Sequence, residues 1–144
     1  MRRPRIYLAA QYHQKAAIAI YKSELESLGY RVTSTWTDEP QDANVSLKDV
    51  DDELLAEYAA RDIMEIDDAD LLVLFTVDPD ELTRRGGRHA EFGYALGRGK
   101  QLVVVGPREN IFHHLETVVR LATWSQFVDE LVDGEFDIPS SNAI

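Results

Sequence analysis

Leu71-Leu72-Val73-Leu74-Phe75 is an unbroken apolar run with Asp70 before it and Thr76-Val77-Asp78 after it. A strand that is apolar at every position, rather than every second one, is covered on both faces. The run reads as a central strand of a parallel sheet. Its neighbours in sequence extend that reading in both directions.

Upstream, a helix is expected from about residue 47 to 68. Leu54, Leu55, Tyr58, Ala59, Ile63 and Ile66 form its apolar stripe, and Ser46-Leu47-Lys48-Asp49 resembles its cap. Before it, Arg31-Val32-Thr33-Ser34-Thr35-Trp36 is rich in β-branched residues and predicts a second strand. Ala17, Ile18, Tyr21, Leu25 and Leu28 recur at helical spacing up to a stop at Gly29. Arg5 to Ala10 forms the first strand. Downstream, Asp78 to Gly87 reads as a loop and about Arg88 to Gly97 as a short helix. Gln101-Leu102-Val103-Val104-Val105 is a fourth strand closed by Gly106-Pro107, and Thr117 to Leu121 is a weaker fifth. Thr123-Trp124-Ser125-Gln126 caps a last helix. This alternation predicts an α/β fold. It is a single-domain, flavodoxin-like or Rossmann-like open parallel five-stranded sheet with helices on both faces. The domain spans 1–138, and 139–144 is a C-terminal tail.

Composition narrows the function. With 144 residues, 44% hydrophobic and 28% charged, the chain suits one soluble domain. A net charge of -11 repels a nucleic-acid backbone, so no nucleic-acid partner is expected. No apolar run approaches membrane-spanning length, and the basic start Met1-Arg2-Arg3-Pro4-Arg5 lacks a secretory core, so the expected location is the cytoplasm. The absence of cysteine removes thiol catalysis and zinc thiolate sites. His113 and His114 are adjacent and lack a supporting carboxylate pattern, so neither metal nor other cofactor is expected.

Chemistry concentrates in Gly86-Gly87-Arg88-His89-Ala90-Glu91-Phe92-Gly93-Tyr94-Ala95-Leu96-Gly97. The glycines allow a tight turn close to a ligand. Free N–H groups at the helix start favour an anion. Glu91 is expected in the first turn, where the helix dipole keeps a carboxylate ionised and able to attack a sugar carbon. Ala90, Gly93 and Gly97 are expected to let the helix approach the sheet closely. Arg88 and His89, with Arg84 and Arg85 nearby, invert the chain's charge locally and suit a phosphate. Asp62 falls within the apolar stripe of its helix, with Asp51 and Glu65 in or near the same arc. A second carboxylate would handle a proton or sugar hydroxyls. Tyr7 and Ala9 point to one side of the first strand. Gln11, Tyr12 and Trp36 lie at strand ends, where the aromatic rings serve either to stack a base or to cover the core.

Three pieces then carry a family resemblance. They are Ile6-Tyr7-Leu8-Ala9-Ala10, Arg61-Asp62-Ile63-Met64-Glu65-Ile66-Asp67-Asp68-Ala69-Asp70, and Glu91-Phe92-Gly93-Tyr94-Ala95-Leu96-Gly97-Arg98-Gly99-Lys100. In that order they resemble the nucleoside 2-deoxyribosyltransferase family and the related nucleoside 5'-monophosphate N-glycosidases. The resemblance implies that Glu91 is a nucleophile, that Tyr7 orients it, and that Asp62 contacts the sugar and assists at the base. Tyr12 falls where the family surrounds the base with aromatic rings. It implies a homodimer or larger homo-oligomer with shared pockets, and Ile111, Phe112 and Leu115 beside Asn110 and His113 suit a pocket edge at a subunit contact. The chain departs from the family in Thr83-Arg84-Arg85-Gly86, where the transferases carry an acidic residue. It departs again in Arg108-Glu109-Asn110-Ile111-Phe112-His113, where they present a polar group to the 5'-hydroxyl.

The expected activity is cleavage or transfer of the N-glycosidic bond of a (deoxy)nucleoside 5'-monophosphate through a glycosyl-Glu91 intermediate. The alternatives are 2-deoxyribosyl transfer between free nucleosides and a non-catalytic nucleotide-binding domain of the same fold. The site is expected to hold Glu91, Asp62 and Tyr7 for catalysis. Ala9, Gln11, Tyr12, Trp36, Gly87, Arg88, His89, Asn110 and His113 are expected to bind substrate.

Overall fold

The computed structural model describes residues 1–40, 46–78 and 86–139. It is a Rossmann-like α/β fold around one parallel sheet of four strands in the order β1-β2-β3-β4. These are β1 (Ile6–Ala9), β2 (Leu71–Phe75), β3 (Gln101–Val105) and β4 (Val118–Leu121). The helices are α1 (Lys15–Ser27), α2 (Asp52–Asp68), α3 (Gly87–Gly97) and α4 (Trp124–Val132). Every residue of β1 and β2 is buried, as the apolar runs require. Each Leu, Ile, Val or Phe side chain among them contributes roughly 1.5–3 kcal/mol by leaving water.

The second of the five expected strands, Arg31 to Trp36, is reduced to a bridge between Val32 and Ile6. Ile6 N donates to Arg31 O at 3.0 Å and Thr33 N to Ile6 O at 2.7 Å. Beyond that point side chains take over the free edge of β1. Leu8 N donates to Ser34 Oγ at 3.1 Å, and the Trp36 indole N–H donates to Leu8 O at 2.7 Å. With its edge groups satisfied in this way, β1 gains nothing from a longer ladder, and residues 36–38 curl into a 3-10 turn. Val32 lies on the side of β1 away from β2, so the segment still holds the outer place of a flavodoxin-like order.

Register and alternation place the helices. Tyr7 pairs with Leu72 and Ala9 with Leu74, so these four side chains share a face. Tyr7 meets Glu91 of α3 there. Phe75 points to the other face and stacks on Tyr21 of α1, with ring centroids 5.5 Å apart; Trp124 of α4 lies 4.4 Å from the Tyr21 ring. Helices therefore cover both faces. Asp70, at the opposite end of β2 from the site, accepts from Arg2 at 2.7 Å and from Arg5 N at 2.8 Å, tying the start of the chain to the sheet.

Two helical expectations need correction. α2 begins at Asp52, capped by Asp51, whose side chain accepts from Glu53 N; Leu47–Asp49 is a separate 3-10 turn, so Ser46 does not cap α2. Of its apolar stripe only Ile66 is fully buried, while Ala59 is exposed and Ile63 is 37% exposed. On α3 the buried residues are Arg88, Phe92 and Ala95. Ala90, Gly93 and Gly97 face outward, and a Cβ at either glycine would meet nothing within 4 Å. The large ring of Phe92, not a small-residue face, sets the helix against the sheet.

Candidate active site

The carboxyl ends of β1 and β2 carry the site. Gly106, at φ +117°, closes β3 so near that a Cβ would meet Thr76 Oγ1 at 2.5 Å. Only glycine lets the two strand ends run this close.

Tyr7 is fully buried and donates its hydroxyl hydrogen bond to Oε2 of Glu91. Burial, followed by the charge of Glu91, pushes the phenol well above its ordinary range, so it stays a donor. Glu91 is only half-buried. It is the fifth residue of α3, past the first turn, so the dipole argument for its ionisation fails. Burial raises its pKa to about 8, against the pull of the Tyr7 hydrogen bond and with a further push from Asp62, Glu39 and Glu65. Asp62 lies within electrostatic reach of both Tyr7 and Glu91. Burial raises Asp62 to about 6, while its hydrogen bond and ion pair with Arg61 work in the other direction. The structure thus brings together Tyr7, Asp62 and Glu91 from β1, α2 and α3.

A second set of charges backs Asp62. Arg61 donates to Asp62 Oδ1 at 2.9 Å and to Glu39 Oε2, and its Nε lies 3.8 Å from Glu65. Glu65 in turn accepts from Thr35 N at 3.0 Å and Thr35 Oγ1 at 2.6 Å. Sequence reasoning assigned no role to Glu39 or Arg61. Arg61 was visible as the neighbour of Asp62, but Glu39 comes from a polar loop whose spacing carries no signal.

The proposed binding residues separate into groups. Ala9 is buried in β1 beside the pair. Tyr12 and Gln11 are half-buried beyond the β1 end, and the Tyr12 hydroxyl bonds to the Glu39 side chain. Trp36 is 5% exposed with its indole N–H committed to Leu8 O, so it covers the core; its ring lies 6.0 Å from that of Tyr12. Gly87 is exposed at the α3 start. Asn110 caps the turn Ile111–His114 by accepting from Phe112 N. Arg84 and Arg85 lie outside the described residues.

Arg88, His89 and His113 form their own cluster. Arg88 is 2% exposed and donates to Glu109 Oε1 at 2.8 Å. Its other terminal nitrogen contacts His89 Nε2 at 2.7 Å. An arginine can only donate, so His89 accepts at Nε2 and carries its proton on Nδ1. Glu109 N donates to His113 Nδ1 at 3.0 Å, which puts the His113 proton on Nε2. Burial and the neighbouring cations lower both imidazoles, His113 to about 4, so both are neutral at pH 7. Three buried N–H donors of this cluster, Arg88 Nε, His89 Nδ1 and His113 Nε2, have no hydrogen-bond partner among the described residues. Sequence reasoning missed Glu109, which closes the cluster from the loop after β3. Among the described residues no group of histidines and carboxylates is placed to hold a metal.

No protein-family model matches the chain, and no curated protein matches it in sequence. Among solved structures, the chain is similar to the Clostridium botulinum CMP N-glycosidase BcmB. The TM-score is 0.55 at 20% identity, covering 89% of this chain and 98% of that one. At that identity the likeness concerns the fold.

Proposed function

We propose that this chain cleaves the N-glycosidic bond of a (deoxy)nucleoside 5'-monophosphate, with Glu91 as nucleophile. The observation that carries the reading is the Tyr7 hydroxyl on the Glu91 carboxylate, with Asp62 within electrostatic reach, on a sheet of the kind that binds ligands beyond the carboxyl ends of its strands. Support comes from the fold shared with an enzyme described as a CMP N-glycosidase.

Burial lifts Asp62 to about 6 and Glu91 to about 8, so between those values the one proton rests mainly on Glu91. The reactive arrangement is the minor form, in which the proton has passed from Glu91 to Asp62 and Glu91 is ionised. The Glu91 carboxylate attacks the anomeric carbon, the carbon–nitrogen bond breaks, and its electron pair leaves with the base, which takes the Asp62 proton. A glycosyl ester of Glu91 results. Asp62, now a carboxylate, accepts a proton from water as that water attacks the anomeric carbon and releases Glu91. An acceptor base in place of water gives transfer.

For the phosphate, the reading draws on the free N–H groups of α3 and the unpartnered donors of Arg88, His89 and His113 beside them. A specific observation favours the second reading, a transferase on free nucleosides: Glu109 already occupies the Arg88 guanidinium. Base release measured on nucleosides, CMP and other monophosphates, with and without an acceptor base, separates the two readings. No release from any of them leaves a non-catalytic nucleotide-binding domain.

The same reading includes a homo-oligomer. Ile111, Phe112 and Leu115 are 78%, 55% and 41% exposed on the turn beyond β3, and Met64 is 71% exposed on α2. Apolar surface of this kind suits a second copy of the chain. Among the described residues no helix is long and apolar enough to cross a membrane.

A further inference from the structure

Arg61 is surrounded by more negative charge than one cation needs. It reaches Glu39, Asp62 and Glu65, and its guanidinium carbon sits 4.9 Å from the centre of the Tyr58 ring. Glu39 is itself fixed. Its side chain, 8% exposed, accepts from Arg61 and from the Tyr12 hydroxyl, and its backbone carbonyl accepts from Lys15. A guanidinium gripped by a carboxylate on each side has little freedom to turn, and it fixes both. One of those carboxylates is Asp62, the neighbour of Glu91.

We propose that Arg61, braced by Glu39, is the positioning residue that fixes the Asp62 carboxylate and so decides how the proton is divided between Asp62 and Glu91. The groups facing Asp62 come from four elements: Arg61 and Glu65 on α2, Glu39 after the first 3-10 turns, Glu91 on α3 and Tyr7 on β1. Only Arg61 among them brings a positive charge. Removing it leaves Asp62 buried among carboxylates, and the proton moves onto Asp62. Removing the Glu39 charge has the opposite effect, because it frees Arg61 for Asp62 and takes away a repulsion. The chain Tyr12–Glu39–Arg61–Asp62 also links a ring at the base end of the crevice to the proton-handling group.

The inference rests on the reading of Asp62 and Glu91 as the working carboxylates, but its test does not need turnover. Side-chain carboxyl carbons are followed by carbon-13 NMR titration in the wild type, Arg61→Met, Arg61→Lys and Glu39→Gln, with signals assigned from Asp62→Asn and Glu91→Gln. Loss of the cation in Arg61→Met raises the Asp62 midpoint by about one to three pH units. Arg61→Lys, which keeps the charge, shifts it less, and Glu39→Gln lowers it. An Asp62 midpoint that stays in place in Arg61→Met, or that rises in Glu39→Gln, overturns the proposal. Should Arg61→Met fail to fold, the direction of the Glu39→Gln shift decides alone. Opposed shifts in a protein that releases no base would uphold the clamp and sink the glycosidase reading, so the two failures are distinguishable.

Discussion

The Tyr7 hydroxyl donates to Glu91 Oε2, so a residue of the innermost strand holds a residue on a covering helix. The bond is made by a fully buried phenol to a carboxylate that is only half-buried. One end of the carboxylate is thereby fixed. Tyr7→Phe keeps the ring in the core and deletes only this bond. A hydrogen bond to a charged group is worth roughly 1.5–3 kcal/mol, so kcat should fall by about one to two decades with little loss of stability. Because that bond pulls the Glu91 pKa down, the alkaline limb of the pH–rate profile should also move upward. Unchanged kcat in Tyr7→Phe would remove the orienting role.

Glu91 should cost the fold stability at alkaline pH. Its folded pKa is about 8 against an ordinary 4.5, so between those values the folded chain binds more protons than the unfolded chain. Stability contributed by the protonated form is complete below the unfolded value and is lost as pH rises through the folded one. Glu91→Gln removes the charge and keeps the shape. Its melting temperature should exceed that of the wild type by on the order of several degrees at about pH 9, and the gap should close in acid. A gap of the same size in acid would mean that the carboxylate's charge is not the cause.

Arg88 and Glu109 form a buried ion pair beside the start of α3. Breaking such a pair from one side strands a charge and costs about 3–5 kcal/mol. Arg88→Ala is therefore expected to lower the melting temperature as well as activity; Glu109→Gln also leaves Arg88 without its counter-charge but keeps an oxygen that can accept from the guanidinium. If a 5'-phosphate takes over the Arg88 guanidinium, Glu109→Gln should lower the KM for a monophosphate by about tenfold, since one charge-assisted competitor worth over 1 kcal/mol is gone. The KM for the matching nucleoside should not move. An equal change for both would favour the free-nucleoside reading.

The exposed apolar turn at Ile111, Phe112 and Leu115 makes the quaternary state a direct test. Sedimentation of the wild type should give a dimer or larger species, and Phe112→Asp should shift it toward monomer with loss of activity. A monomer that is fully active at nanomolar concentration would refute shared sites.

The strands were legible because their apolar runs are continuous: Leu71–Phe75 and Gln101–Val105 appear in the structure with the bounds the sequence implies. The loss of the expected second strand was not legible, because Ser34 and Trp36 complete the β1 edge with side-chain bonds that periodicity does not register. Tyr7 drew notice as a hydroxyl inside an apolar strand and Glu91 by its place after the glycine turn, while Asp62 shared its helical arc with Asp51 and Glu65 and was singled out by the family resemblance. Glu39 and Glu109 drew no notice, since each matters through one long-range partner on an irregular segment. Arg88 looked like a free cation for the same reason; its partner lies 21 residues away. The Glu91 environment was misjudged because a helix-dipole argument depends on the cap, and the cap falls at Gly86.

The central claim is that Glu91 becomes covalently attached to the sugar. The direct measurement is mass spectrometry of enzyme quenched during turnover of a monophosphate, or of a slow 2-fluoro analogue, followed by peptide mapping. The expected result is an added glycosyl phosphate mass on the peptide containing Glu91, absent in Glu91→Ala, with base release lowered by orders of magnitude in that folded variant. Base release at near-normal rate from Glu91→Ala, or an adduct on another residue, would contradict it.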